Sequence, residues 1–421
     1  MKIKRYVKWG GISAAISVLM IVLCHIYWNM SFTHGIAENE YHHMAKWKDV
    51  MDEHPVSDQE VAVNVAYDKV LVPYSVSTES DGEKINDIVG VTDIVDRTKL
   101  VSLMKMLKEL DNYRYIVCDV ELTEEYQTES DSELFSLISS MRDIVVPDSD
   151  SLPACLRPVA AKARYSKKRV GDDFMKYTCI DEGQETMAFR MWKDLTGGTY
   201  EPRRMGIIID GKHCLNYFVP HFRYMIYDKY KKREEGDVGN ELTMYNLGHD
   251  ILSGSPDDNM SLFKDKILLI GAWDKDDIHD TPVGPQPGIS IVYNAYLSLL
   301  NRDNYISLGM YGILFLIFWM LNAFTLRGLY MEESLSMHLS RAFYRVRGWL
   351  CKNCRMDDYS EIEQFKIPVW LSLLLSMLSY STVLIIIMAV FYFRYNLYIN
   401  AVIVGSLMSL IGELVSAYKK E

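Results

Sequence analysis

The chain has 421 residues, of which 49% are hydrophobic and 24% charged, with a formal net charge of −11 at pH 7. That acidic balance makes nucleic acid and anionic membrane surfaces poor partners for the large segment that carries most of it. The length suits one large domain or two ordinary ones, but the apolar residues are clustered too unevenly for a purely soluble protein.

The first nine residues carry Lys2, Lys4, Arg5 and Lys8, a basic leader ahead of an apolar stretch at 10–29. A cleaved signal peptide has the same plan. Here the apolar core is longer than usual and no small-x-small cleavage site follows it before Tyr27, Trp28 and Met30, which favours a retained anchor. Three more stretches, 308–326, 368–392 and 397–417, each hold roughly the 20 apolar or small residues that span hydrocarbon. Four transmembrane helices are therefore expected. Positive residues near helix ends resist translocation. The leader (1–9), the loop 327–367 with Arg327, Arg341, Arg345, Arg347, Lys352, Arg355 and Lys366, and the terminal Lys419 and Lys420 then lie in the cytoplasm. Residues 30–307 lie outside.

Within that external segment, 36–54 has helical spacing and ends at Pro55, as a stalk helix would. The Val alternation of 61–76 predicts a strand, and Leu100, Leu103, Leu107 and Leu110 make a helical stripe over 98–110. Another strand follows at 113–122. Residues 130–147 repeat the helix-strand pattern, with Ser132 as the expected cap. The segment 148–185 has little periodicity and stays open. A helix over 185–198 closes at Gly197 and Gly198, and strands flank a turn at Asp210 and Gly211. Residues 241–254 read as a helix leading to the buried strand KILLIG, and 289–305 as a closing helix with Ile291, Ala295, Tyr296 and Leu299 on one side. The expected fold is an α/β extracytoplasmic domain with a mixed, partly parallel sheet, plus the four membrane helices.

The stretch KILLIGAWDKDDIHDTPVGPQPGISIVYNAYLSLL resembles the closing signature of the CHASE type 2 domain, an extracytoplasmic sensor of bacterial cyclases and kinases. The matching positions are Ile270, Gly271 and Ala272 at the strand end, then Thr281, Pro282, Gly284, Pro285, Pro287 and Gly288 after an acidic loop, then Asn294 and Ala295 in the exit helix. Looser matches extend over about 55–305. The resemblance implies a sensor held in a bacterial inner membrane, with one helix before it and three after. Family members carry a signalling domain after the last helix, whereas this chain ends in AYKKE, so a separate cytoplasmic protein is the expected recipient of the signal.

The acidic run after the buried strand invites a metal reading, but it lacks the glycine and the terminal glutamate of a calcium loop. No metal and no cofactor are expected. A phosphate cradle would need several glycines leading into a helix, and Gly271 stands alone before Trp273. Ligands of open α/β sheets sit beyond the carboxyl ends of strands. The candidate ligand rim is therefore Asp119, Glu121, Asp274, Asp276 and Asp277, weighed against a solvated loop. Gly271, Thr281, Pro282, Gly284, Pro285, Pro287, Gly288 and Asn294 form a candidate coupling turn that aims the exit helix at the membrane. Cys118, Cys155, Cys179 and Cys214 share the external segment without a disulfide framework, and Cys351 with Cys354 make only half of a zinc knuckle. Leu335, Leu339, Phe343, Val346 and Leu350 form an apolar face in the basic loop, suited to anionic lipid or to a partner helix. Glu413, inside the last span, either reaches water or meets another helix.

No catalytic constellation is legible. The expected function is a non-enzymatic membrane sensor whose partners are the lipid bilayer and a separate signalling protein, with homodimerisation allowed and nucleic acid excluded. The alternative is a non-sensory subunit of an envelope transport or assembly complex.

Overall fold

In the sequence EVAVN, Val61 and Val63 alternate with Glu60, Ala62 and Asn64, and all five residues are buried. A strand buried on both faces needs covering layers on each side, as parallel α/β sheets have. The computed structural model describes residues 2–30, 44, 59–80, 83–123, 126, 128–163, 176–223, 244–274, 276–281, 283–326, 384–394, 404–406 and 408. The chain divides into two compact units, one built mainly on Tyr41–Tyr305 and one on Met1–Trp28 with Ile306–Glu421. The expected stalk at 36–54 lies almost wholly outside the described residues, as do the loop 327–367 and most of 368–392 and 397–417.

The strands that position the site are β1 (Glu60–Asn64), β2 (Lys69–Ser80), β3 (Glu83–Val95), β4 (Tyr115–Asp119), β5 (Ile144–Asp148), β6 (Ala160–Lys162), β7 (Met244–Asn246), β8 (Ile267–Gly271), β9 (Ile278–Thr281) and β10 (Gly284–Pro287). The helices are α1 (Lys2–Trp28), α2 (Arg97–Leu110), α3 (Asp131–Ser140), α4 (Met187–Thr196), α5 (Pro256–Phe263), α6 (Gly288–Leu300) and α7 (Leu308–Leu326). Six strands make one sheet in the order β7-β1-β8-β4-β5-β6, parallel at every pairing. Antiparallel pairing is confined to small separate sheets, including the long β2–β3 hairpin.

Two helical layers cover the sheet. On one face Val61, Val63, Cys118, Leu268 and Ile270 pack with Leu100, Leu103, Leu107, Leu134 and Ile138 of α2 and α3. On the other, α4 and α6 pack on each other and on β4. There the Tyr293 hydroxyl donates to Glu60 Oε2 at 2.7 Å, and the Tyr115 hydroxyl donates to Asp194 at 2.9 Å. Each fully buried Leu or Ile contributes roughly 1.5–3 kcal/mol, so Ile267, Leu268, Leu269 and Ile270 make β8 a major contributor to the core. The α2 helix starts where the Asp96 carboxylate accepts from the backbone of Thr98 at 2.9 Å and Lys99 at 3.4 Å, a cap worth about 1 kcal/mol.

Several expectations change. The strand expected over 61–76 breaks at a turn, where Asp68 N donates to Val65 O, and continues as β2 of the hairpin. The expected helix at 241–254 is instead β7 followed by a single π turn (Leu247–Ile251), and the helix comes later, as α5. Pairing with β1 takes Met244–Asn246 out of the helix. The cap of α3 is Ser130, not Ser132. The helix over 185–198 and the turn at Asp210 and Gly211 are observed, the former as α4 with Gly197 closing it. Cys118, Cys155, Cys179 and Cys214 are free thiols.

In the second unit α1 packs against α7. Ser13 Oγ donates to Trp319 O at 2.8 Å, Trp319 Nε1 to Gly10 O at 3.2 Å, and Asn322 Nδ2 to Ser17 Oγ at 3.1 Å. Ser13, Ser17 and Asn322 are fully or almost fully buried, forming a polar seam between two apolar helices. Among the described residues one helical segment, Gly10–Trp28, is long and apolar enough to cross a membrane. Replacing Asn322 with Leu is expected to weaken the helix pair by about 0.6–1.7 kcal/mol, the range of interhelical hydrogen bonds in membranes. Detergent-denaturation curves of the full chain check this, and superimposable curves would contradict it.

Candidate functional site at the carboxyl ends of the parallel strands

β1, by way of the β2–β3 hairpin, and β4 lead to α2 and α3 on one face of the sheet while β8 leads to α6 on the other, so the region beyond their carboxyl ends is where open α/β sheets have their ligand crevice. Asn64 closes its floor. The Asn64 side chain is completely buried. Its Oδ1 accepts from Ala66 N at 3.1 Å and Trp273 N at 3.2 Å, and its Nδ2 donates to Asn246 Oδ1 at 3.1 Å. One side chain thus ties the exits of β1, β8 and β7 together. Val65 N donates to Gly271 O at 3.0 Å, and Trp273 Nε1 donates back to Leu269 O at 3.1 Å.

The acidic rim is only partly assembled. Asp119, at the end of β4, and Asp277 converge on the first residue of α6: a Cβ on Gly288 would overlap the Asp277 carboxylate and lie 3.4 Å from Asp119 Oδ2. Gly288 N donates to Asp277 O at 2.9 Å, and His279 Nε2 lies 2.9 Å from Asp277 Oδ1. Asp276 turns to Lys69 instead, at 2.8 Å, and Lys69 also reaches Asp93 at 3.0 Å. Burial opposes the Lys69 charge, but the two carboxylates outweigh it and hold its pKa above the ordinary lysine value. The Asp274 carboxylate oxygens are buried and have no hydrogen-bond partner among the described residues. Glu121 is exposed, and its carboxylate makes no hydrogen bond or ion pair among the described residues; its main-chain oxygen accepts from Arg97 Nη2 at 2.5 Å. Glu121 and Asp276 therefore leave the expected rim. Asp119 and Asp277 remain as its converging pair. Among the described residues no group of three His, Cys, Asp or Glu is placed to hold a metal ion.

The coupling turn is a hairpin. Strands β9 and β10 pair antiparallel, with Thr281 opposite Gly284 and Ile278 opposite Pro287. Thr281 Oγ1 donates to Gly284 O at 2.5 Å, and Gly284 takes a φ of 110°. Pro282 lies outside the described residues, while Pro285 pairs with Asp280. Gly271 is a close approach: a Cβ there would sit 3.1 Å from Ile289 Cβ. Asn294, buried in α6, accepts from Arg223 N at 2.8 Å and donates to Ser290 O at 2.9 Å, while Ser298 accepts from His221 N at 2.8 Å. The polar stripe of α6 thus holds the segment 221–223.

Beside the rim, beyond β1 and β7, lies a cavity of about 590 Å³ lined by Tyr67, Asp68, Lys99, Asn246, His249 and Leu252, among others. Asp68 is nearly buried and accepts from Lys99 Nζ at 2.5 Å and from Gly248 N at 3.0 Å. The bond to Asp68, with the charges of Asp68 and Asp96, outweighs burial and holds the Lys99 pKa above the ordinary lysine value. The His249 ring and the backbone N–H of Asn246 hold the Asp250 carboxyl below its usual range.

No family model, curated protein or solved structure matches the chain.

Sequence reasoning missed Asn64, Asp68, Lys99 and Asn246. Asn64 alone left a signal, as the amide that interrupts the apolar residues of VAVNVA.

Proposed function

We propose that the chain is a membrane-anchored sensor of the CHASE type 2 kind, with four membrane helices, an extracytoplasmic α/β unit and a separate cytoplasmic protein as its output. The observation that carries this reading is the course of the chain from β8. The strand ends at the crevice, the β9–β10 hairpin returns to the same crevice, and α6 starts against Asp119 and Asp277. Six residues after Leu300 lead to Ser307, and the apolar α7 begins at Leu308. A shift in the rim is felt at the first turn of a helix whose chain continues directly into an apolar segment. The N-terminal span Gly10–Trp28 supports membrane association, and the resemblance of 266–300 supports the sensory role.

Two arms test this. In intact cells a membrane-impermeant maleimide is expected to label the exposed Cys155, with Cys351 and Cys354 reacting only after permeabilisation. Labelling of Cys351 and Cys354 from outside would end the topology. Exchanging 327–367 for a neutral linker of equal length is expected to release the signalling partner from co-purified membrane complexes. Retention of every partner would end the output assignment.

A further inference from the structure

We propose that the cavity beyond β1 and β7 binds a small molecule bearing an oxyanion, carboxylate or phosphate, on a flat apolar body. This deepens the sensor reading and rests on it for its purpose, though not for its chemistry. Both oxygens of Asp68 are committed to Lys99 and Gly248, and the Asn246 carbonyl oxygen to Asn64. His249 Nδ1 is engaged by Asp250 at 2.7 Å. The nitrogen donors that these bonds leave to the cavity are the remaining N–H groups of Lys99 and the Asn246 amide nitrogen, with the Tyr67 and Ser253 hydroxyls beside them. The strongest acceptors of the cavity, the Asp68 oxygens and Asn246 Oδ1, are each already engaged, so a ligand rich in acceptor oxygens fits the open donors best. Tyr67, 56% exposed, and Leu252 supply the apolar wall. The volume lies within the range of small-molecule sites.

The same residues give the cavity a route to the exit helix. An oxyanion bound at Asn246 Nδ2 fixes the amide whose oxygen holds Asn64, and Asn64 holds the backbone of Trp273 at the exit of β8.

Thermal unfolding and calorimetric titration of the purified full chain, with phenyl phosphate, benzoate and inorganic phosphate as probes, test the proposal. Phenyl phosphate or benzoate is expected to raise the unfolding midpoint more than inorganic phosphate does, and the stronger of the two identifies the oxyanion. Lys99→Met is expected to weaken binding roughly 10- to 100-fold, as the loss of a charge-assisted hydrogen bond does. Asn246→Asp keeps an acceptor for Asn64 but meets the ligand with a carboxylate, and is expected to abolish binding. Lys105 lies on the same helix as Lys99 but pairs with Glu133 of α3, so Lys105→Met is expected to leave binding unchanged. Binding by none of the probes, equal binding of inorganic phosphate, or undiminished binding by Lys99→Met would each overturn the proposal. Binding is read on purified protein, so its failure is distinct from failure of the topology and output arms, which are read in cells and membranes.

Discussion

Replacing Asn64 with Leu is expected to cost the α/β unit about 3–5 kcal/mol, because two buried backbone N–H groups lose their acceptor at once and each costs roughly 1–3 kcal/mol unpaired. These are Ala66 N and Trp273 N, and no backbone movement confined to one strand satisfies both. Leu matches the volume of Asn only approximately, so strain adds to the loss. Asn64→Asp keeps the acceptor and loses the bond to Asn246, and its effect should be smaller at pH values where the new carboxyl is neutral. Urea unfolding of the full chain gives the measurement. A fall in midpoint at constant slope identifies a folded-state effect, and a loss under about 1 kcal/mol would show that Asn64 does not tie the strand exits.

Lys176→Met is expected to stabilise the protein at neutral pH. Lys176 is buried, with Nζ donating to Met30 O at 2.9 Å, and burial lowers its pKa to about 7. Above the ordinary lysine value both folded and unfolded chains carry a neutral amine, and the group contributes nothing to the pH dependence. As the pH falls below that value, the unfolded chain takes up the proton first and folding loses about 1.4 kcal/mol per pH unit. The loss stops growing once the folded chain is protonated as well, below about pH 7. Methionine fills a similar volume without the charge, but gives up the bond to Met30 O. The net gain at pH 7 is roughly 2–4 kcal/mol, shrinking towards zero or a small loss near pH 10. Unfolding midpoints of wild type and variant across that interval should converge on the alkaline side. Parallel curves would mean that Lys176 keeps its ordinary titration.

The strands that sequence made plain are the ones buried on both faces. Ile267–Gly271 and Ile144–Val146 are short unbroken apolar runs with no second reading, and α2 shows its leucine stripe because only one side of it meets the core. The break between β1 and β2 was invisible because apolar alternation resumes on both sides of it. What cuts the strand is the Val65–Asp68 turn, whose backbone is held by the neighbouring Asn64 side chain and by Gly271 O from far along the chain. In 241–254, helical spacing was overridden by three backbone pairings with β1, which a local pattern does not contain. The site divides the same way. Asp119 and Gly288 were legible as a strand end and a helix start, yet only the fold shows that their meeting point also holds Asp277. Lys69 was unmarked in sequence, and it is the residue that withdraws Asp276 from the rim.

The place of β1 in the sheet bears on how the protein is made. Its neighbours on both sides, β7 and β8, come from the far end of the same unit, and Asn64 finds its partners 182 and 209 residues later in the chain. During synthesis the first strand of the sheet therefore waits, apolar and without either neighbour, until β7 has emerged, and it is enclosed on both sides only once β8 follows. Such long-range pairing is slow and leaves the nascent chain open to aggregation. No fragment ending before Gly271 can close the sheet, so synthesis of this unit ends either in a complete fold or in a substrate for quality control.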